Sequence, residues 1–206
     1  MLSTRPSQST PQRHLPGAVA DAHRRLEAKA ALLDHVQPID GRRGWGASAW
    51  IEAHWPLIVR APGSRHNHQA WDGGFLDHTL QLMACVDALL PALESVAPLP
   101  PVITRASAKL VLLFHDVEKV FRYAGVDPVS WDKDTYLTRH LREHWHIAFT
   151  EAELNALTYV HGEGDDYAKD RRVMNPLAAF CHTCDVTSAR IWFDQGAPGD
   201  REDTAR

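Results

Sequence analysis

The chain has 206 residues, 44% of them hydrophobic, and a formal net charge of −4. That apolar content suffices for one buried core, so a single domain is expected. The acidic balance argues against a general nucleic-acid-binding protein, because such proteins usually carry a basic excess.

The sequence offers no segment that suggests a membrane or secreted protein. No window approaches the roughly 18 apolar residues that cross a bilayer, and the N-terminal stretch lacks the apolar segment of a secretory signal peptide. We therefore expect a cytoplasmic protein with no membrane partner. The three cysteines are an odd number and do not suggest a disulfide framework.

Apolar residues recur at helical spacing along most of the chain. Residues 1–17 and 196–206 lack this periodicity and are predicted to be flexible tails. Between the tails, residues 18–195 are predicted to form one domain, in which N-terminal helices (18–60) precede a core (64–193). The predicted helices are residues 19–36, 47–59, 75–90, 104–123, 133–148, 151–159 and 176–193.

Polar and turn-forming residues mark the ends of these helices. Asp72, Thr104 and Thr150 precede helical segments and are predicted N-caps. Proline and glycine separate the segments, most clearly at 38–44 and 98–101. No segment alternates apolar and polar residues as a strand does, so the sequence predicts an all-α helical bundle.

The most informative segment is residues 109–121, in which His115 and Asp116 follow an apolar run. The apolar residues on both sides of this pair predict a helix inside the fold. A carboxylate there costs several kcal/mol unless a positive charge meets it. Because imidazole and carboxylate both bind divalent cations, a metal ion is the favoured partner. Successive helix positions point about 100° apart, so other helices must supply further ligands.

Two other helices offer such ligands. His78 lies among leucines in the helix predicted at 75–90, and Asp185 shares a helix face with Cys181 and Ala189. Alone, a histidine in this setting is usually a hydrogen-bonded core residue, and an acid on a helix is usually a surface residue. Together with the His-Asp pair, the two favour a metal site.

The order His78, His115-Asp116, Asp185 resembles the HD-domain superfamily of metal-dependent phosphohydrolases, in which His, His-Asp and Asp ligands lie on separate helices. The segment Gly-Gly-Phe-Leu-Asp-His-Thr-Leu at 73–80 is similar to the first-ligand segment of bacterial exoribonucleases of this superfamily and of HD domains in conjugative relaxases. His-Asp-Val-Glu-Lys at 115–119 is similar to the superfamily's His-Asp-x-x-Lys. The resemblance covers about residues 64–193 and implies an HD-domain-like helical bundle with these four metal ligands.

The resemblance implies hydrolysis of a phosphoester, in a nucleotide or at a nucleic-acid end, by water that a divalent ion activates. The mixed ligand set suits Mn, Fe, Co, Ni or Zn, and Mg with more water ligands. Lys119 and Arg122 are candidates for contact with substrate phosphate, although Lys119 also has the alternative of pairing with an acidic neighbour on its helix. His66 and His68 either approach the substrate or line a solvated turn.

A second metal ion stays open at this point. Binuclear members of the superfamily add histidines before the last Asp, one of them in a His-His-Gly-like turn. His161-Gly162 matches that turn, except that Val160 replaces its first histidine. His140 and His144 lie four residues apart and share a helix face. His140, His144 and His161 are therefore candidates for a second metal or for acid–base catalysis, with solvated histidines as the alternative.

Cys181 and Cys184 form a single Cys-x-x-Cys. A structural zinc site normally needs four ligands, and a thioredoxin-like motif needs a strand followed by a helix. We therefore expect these small residues to pack inside a helix.

Two further functions stay open from the sequence. A non-catalytic HD module in a mobile-element or nucleic-acid-processing assembly would keep the ion for structure. A di-iron oxygenase on the same fold is less favoured, because the second-metal histidines match imperfectly. For residues 18–60, the alternatives are to cover the site, to shape a pocket or to form a homodimer interface.

Overall fold

The computed structural model describes residues 22–126 and 132–191. The tails predicted at 1–17 and 196–206 lie outside these ranges, as do the first residues of the helix predicted at 19–36 and the last of the one predicted at 176–193. Within the described ranges no strand is present, apart from an isolated antiparallel bridge between Ala168 and Arg171. The prediction of an all-α fold is confirmed.

The described α-helices differ in length, and the longest connections precede α3 and α9. They are α1 (Ala22–Val36), α2 (Gly41–Ile58), α3 (Gly74–Glu94), α4 (Arg105–Phe114), α5 (Val117–Arg122), α6 (Lys133–Thr135), α7 (Leu141–Trp145), α8 (Glu151–Tyr159) and α9 (Pro176–Val186). Two π-helical segments, Tyr136–His140 and Thr187–Ile191, connect α6 to α7 and extend α9.

Helix α4 lies at the centre of the bundle. It contacts α1, α3, α8 and α9, and every residue from Ala108 to Phe114 is buried. The Thr104 hydroxyl caps its N-terminus by accepting a hydrogen bond from the Ser107 N–H at 3.0 Å, as predicted. The apolar run therefore places the residues that follow it, His115 and Asp116, inside the fold.

The helix predicted at 104–123 is interrupted at His115 and Asp116. A continuous helix would direct the Lys119 N–H to the His115 carbonyl, but it bonds instead to the Asp116 carbonyl at 2.9 Å. The Lys133 ammonium, 18 residues along the chain, donates to the His115 carbonyl. The prediction of one continuous helix is wrong, because a tertiary contact replaces one helical hydrogen bond and turns the chain between α4 and α5.

Two glycines shape the start of α3. Gly73 is the N-cap, with φ of 79° in the left-handed region, so the prediction that Asp72 is the cap is wrong. A Cβ on Gly74 would lie 1.8 Å from the Gln69 carbonyl oxygen, an approach that only glycine allows. This tight turn fixes where α3 begins, and so where His78 lies in its second turn.

Helix α2 begins earlier than predicted, at Gly41, inside the break predicted at 38–44. A Cβ on Gly46 would lie 1.8 Å from the Trp145 carbonyl oxygen. Gly46 therefore lets α2 pack directly against α7, and that packing outweighs its low helix propensity.

In the C-terminal half of the chain, capping residues mark where α7 ends and where α8 begins. The helix predicted at 133–148 ends at Trp145, because His146 adopts a left-handed φ of 56°. Thr150 caps α8 in a reciprocal capping box with Glu153, which confirms the predicted cap.

Candidate metal centre

The four side chains predicted as ligands lie together, although they come from three separate parts of the chain. His78 extends from α3, His115 and Asp116 occupy the turn between α4 and α5, and Asp185 lies near the end of α9. We call them the His/Asp cluster. Distances from imidazole Nε2 to carboxylate oxygen are 3.2 Å for His78–Asp185, 3.2 Å for His115–Asp116, 3.6 Å for His115–Asp185 and 4.0 Å for His78–Asp116.

The four side chains of the cluster are buried. The His78 and His115 side chains are fully buried, while Asp116 is 3% and Asp185 11% exposed. Nε2 of each histidine is buried and lacks a hydrogen-bond partner among the described residues. Unpartnered buried nitrogens next to carboxylates are typical of ligands that face a cation.

Nδ1 of each imidazole is held by a hydrogen bond to a residue outside the cluster. The His115 Nδ1–H donates to the Leu112 carbonyl at 2.8 Å. The Ser188 hydroxyl lies 2.9 Å from Nδ1 of His78 and donates its own proton to Gln81 Oε1 at 2.8 Å, so it accepts from the His78 Nδ1–H. In the neutral form, both imidazoles therefore direct the Nε2 lone pair into the cluster, as metal-binding histidines do.

The charges in the cluster favour a cation. Burial acts to raise the pKa of Asp116, but the nearby His115 holds that pKa well below its usual value. Burial also acts to raise the pKa of Asp185, but His115 and His78 outweigh it and lower that pKa below its usual value. At His115, burial is outweighed by the two carboxylates, which raise the pKa to about 10, whereas burial lowers the pKa of His78. The residues thus fit a divalent ion, and a proton on His115 takes its place when none is bound.

Two lysines support the turn that carries the His-Asp pair. Lys119 Nζ contacts Asp116 Oδ2, which is the pairing with an acidic neighbour that the sequence left open. Lys133 Nζ donates to the His115 carbonyl and lies 3.1 Å from Glu118 Oε2. The role of Lys133 could not be predicted from the sequence, because nothing in its local pattern indicates a partner 18 residues away.

Among the three other candidate histidines, the structure brings His161 to the cluster. Its Nε2 lies 3.5 Å from Asp116 Oδ1, and it can share a group of ligand atoms within 4.8 Å with His115 and Asp185. His140 and His144 instead contact each other, with ring centroids 4.3 Å apart. They line a separate surface hollow and contribute to no candidate ligand group in the described part of the chain.

A hollow of about 350 Å³ adjoins the cluster on its exposed side. Burial, reinforced by the charge of His78, lowers the pKa of His68 to about 4, and its ring centroid lies 5.0 Å from that of His78. His66 and Arg122 are exposed, and the structure does not place them at the hollow. Residues that line the hollow include Asn67, His68, His161, His182, Asp185 and Arg190.

The three cysteines are buried free thiols. Burial raises the pKa of Cys85 to about 11 and that of Cys184 to about 12, which disfavours the thiolate that zinc or redox chemistry requires. Cys181 and Cys184 lie in the hydrophobic core, in agreement with the expected packing role.

No family model, curated protein or solved structure matches the chain. The resemblance to the HD-domain superfamily therefore rests on the residues and geometry described above and stays a prediction. Among residues 22–126 and 132–191, none of the helices combines the length and the apolar character that a membrane span requires.

Proposed function

We propose that the chain is an HD-type metal-dependent phosphohydrolase or phosphodiesterase that acts on a phosphoester of a nucleotide or a nucleic-acid end. The observation that supports this most directly is the pair of buried Nε2 atoms, of His78 and His115, that face carboxylates without a hydrogen-bond partner. The ordered His, His-Asp and Asp residues meet next to a hollow that Asp185 lines and that is large enough for a small ligand.

The His/Asp cluster would hold the ion through two imidazole nitrogens and two carboxylates. This donor set suits Mn, Fe, Co, Ni or Zn, and Mg with more water ligands. An ion held there would supply activation of water at neutral pH and would offset negative charge on a phosphoryl group.

Residues around the cluster have separate tasks in this proposal. Lys119 orients Asp116 and places a positive charge beside the phosphoryl group. His161 is half-exposed and 3.5 Å from Asp116, so it is the residue positioned to protonate the leaving oxygen. Ser188 and the Leu112 carbonyl keep the two histidine rings in the orientation that metal binding needs.

The test combines metal content with activity. We expect the purified protein to hold stoichiometric metal and to hydrolyse a member of a Mn²⁺-supplemented panel of bis-p-nitrophenyl phosphate, linear and cyclic dinucleotides and nucleoside monophosphates. His115→Ala and Asp116→Ala should each lose the metal and reduce turnover on the order of 100-fold or more. His23→Ala, which removes a histidine on the exposed side of α1, is the matched control and should change neither.

Other outcomes would favour the other functions. Metal-dependent thermal stability with no hydrolysis of any phosphoester would favour a non-catalytic module. Oxygen uptake and visible absorption by the iron-loaded protein would favour an oxygenase. Absence of bound metal, with activity unchanged in both cluster variants, would refute the proposal.

A further inference from the structure

His182 lies on the wall of the hollow, one helical turn before Asp185 on α9. It is half-buried, and its ring is held at one edge. The His182 Nδ1–H donates to the Val160 carbonyl at 2.7 Å, and a Cβ on Gly162 would lie 3.7 Å from its Cε1. The hydrogen bond to Val160 therefore orients the ring from the side of α8.

The opposite ring nitrogen is available. Among the described residues, Nε2 of His182 makes no hydrogen bond, and it is not among the buried atoms without a partner. It is therefore reachable from solvent. A fixed ring with one nitrogen satisfied and the other free is the arrangement that binding sites use to present a single polar atom to a ligand.

Arg190 lines the same hollow from the π-helical extension of α9. It is exposed, and it forms no ion pair within the described residues. A guanidinium matches the geometry of phosphate oxygens and binds them through two parallel hydrogen bonds. Asn67 adds a side-chain amide to the lining.

We propose that His182 and Arg190 form the phosphate-binding wall of the hollow and contact the substrate of the adjoining cluster. This inference rests on the proposed function, and it assigns the substrate to anionic phosphate esters that reach beyond the metal ligands. With Nδ1 bonded to the Val160 carbonyl, His182 presents Nε2 to the phosphoryl group of a ligand in the hollow. Arg190 contacts further oxygens of the same ligand.

A pair of substitutions separates substrate contact from a structural role. The amide of Asn in His182→Asn can donate to the Val160 carbonyl as Nδ1 does, but it has no atom at the position of Nε2. His182→Gln reaches toward the position of Nε2 and does not titrate. If His182 only supports α8, then His182→Asn should behave as the wild type; if it contacts phosphate, His182→Asn should be impaired and His182→Gln should recover part of the loss.

The experiment is calorimetric titration of inorganic phosphate into the full chain, before and after Mn²⁺ is added, with bound metal measured in each sample. We expect His182→Asn and Arg190→Gln each to raise the phosphate Kd about tenfold, because each loses one charge-assisted hydrogen bond. Bound metal and the midpoint of thermal unfolding should stay unchanged. His23→Asn, on exposed α1, is the control and should bind phosphate as the wild type does.

The results distinguish this inference from the function on which it rests. Phosphate binding that depends on His182, without hydrolysis of any phosphoester, would support the wall and refute the enzyme. If the wild type hydrolyses a phosphoester but the phosphate Kd of His182→Asn lies within twofold of the wild-type value, the phosphate-binding wall would be refuted and the proposed phosphohydrolase supported. An absence of saturable phosphate binding by the wild type, with and without Mn²⁺, would also overturn the inference.

Discussion

The orientation of the cluster histidines depends on residues that are not candidate metal ligands. Ser188 is fully buried and accepts the Nδ1–H of His78 while it donates to Gln81. This chain of hydrogen bonds fixes the tautomer that leaves the Nε2 lone pair free. A small hydroxyl near the end of the described chain therefore orients a candidate metal ligand on α3, 110 residues earlier.

Ser188→Ala should weaken metal binding while the fold is kept. Loss of the hydroxyl leaves the His78 Nδ1–H without its acceptor, and outer partners of this kind typically contribute about 10- to 100-fold to affinity. Competition of the purified protein with a chromogenic chelator for Zn²⁺ would measure the change. Thr183→Ala removes a surface hydroxyl from the same helix that bonds only the backbone, so its affinity should equal that of wild type; equal affinity in both variants would contradict the prediction.

At the scale of a single helix, the backbone turn before α3 sets where that helix begins and therefore where His78 lies. Gly74→Ala should destabilise the protein by about 2–3 kcal/mol, because the new Cβ would lie 1.8 Å from the Gln69 carbonyl oxygen and must displace backbone. Gly125→Ala is the comparison: its Cβ meets nothing within 4 Å, and only left-handed strain remains, about 1–2 kcal/mol. Urea unfolding measures both, and a smaller loss for Gly74→Ala than for Gly125→Ala would show that the turn yields easily.

Helix α2 carries a titratable residue that makes its packing sensitive to pH. His54 packs against Phe121 and Trp145, and its Nδ1–H donates to the Trp50 carbonyl at 2.9 Å. Burial lowers the pKa of His54 below its ordinary value of 6.5. His140, a titratable neighbour in the π-helical segment before α7, interacts with His54 electrostatically.

His54→Phe should make stability less sensitive to mild acid. Because the pKa of His54 is lower in the folded state, the unfolded chain binds more protons below pH 6.5, and stability falls as pH falls through that range. Phenylalanine keeps the ring contacts and removes the titration. The free energy of unfolding in urea should be measured for both proteins between pH 7.5 and pH 5. As the pH is lowered, it should decline less steeply in the variant than in the wild type; parallel curves would contradict the assignment.

At the scale of the whole molecule, the sequence predicted the type and location of most helices and the residues of the cluster. Leu110 to Phe114 indicate a buried helix by composition alone, and the His-Asp pair after it requires a charge partner. What the sequence could not predict depends on distant contacts. The break between α4 and α5 needs Lys133, and the start of α3 needs the approach of Gln69 to Gly74. The orientation of His182 depends on the carbonyl of the residue that follows α8.

The cluster joins α3, the α4–α5 turn and α9, so an ion bound there should stabilise the entire bundle. An ion at 100 times its Kd adds about 2.7 kcal/mol, which for a domain of this size raises the midpoint of thermal unfolding by roughly 5–10 °C. Addition of EDTA to wild type should lower the midpoint by that amount, and Mn²⁺ should restore it.

Asp116→Asn shows whether this effect belongs to the cluster. The variant removes one charged ligand and keeps the shape of the side chain, so its midpoint should respond to neither EDTA nor Mn²⁺. Differential scanning calorimetry at pH 7.5 measures both proteins. A wild-type-sized shift in Asp116→Asn would place the stabilising ion outside the His/Asp cluster.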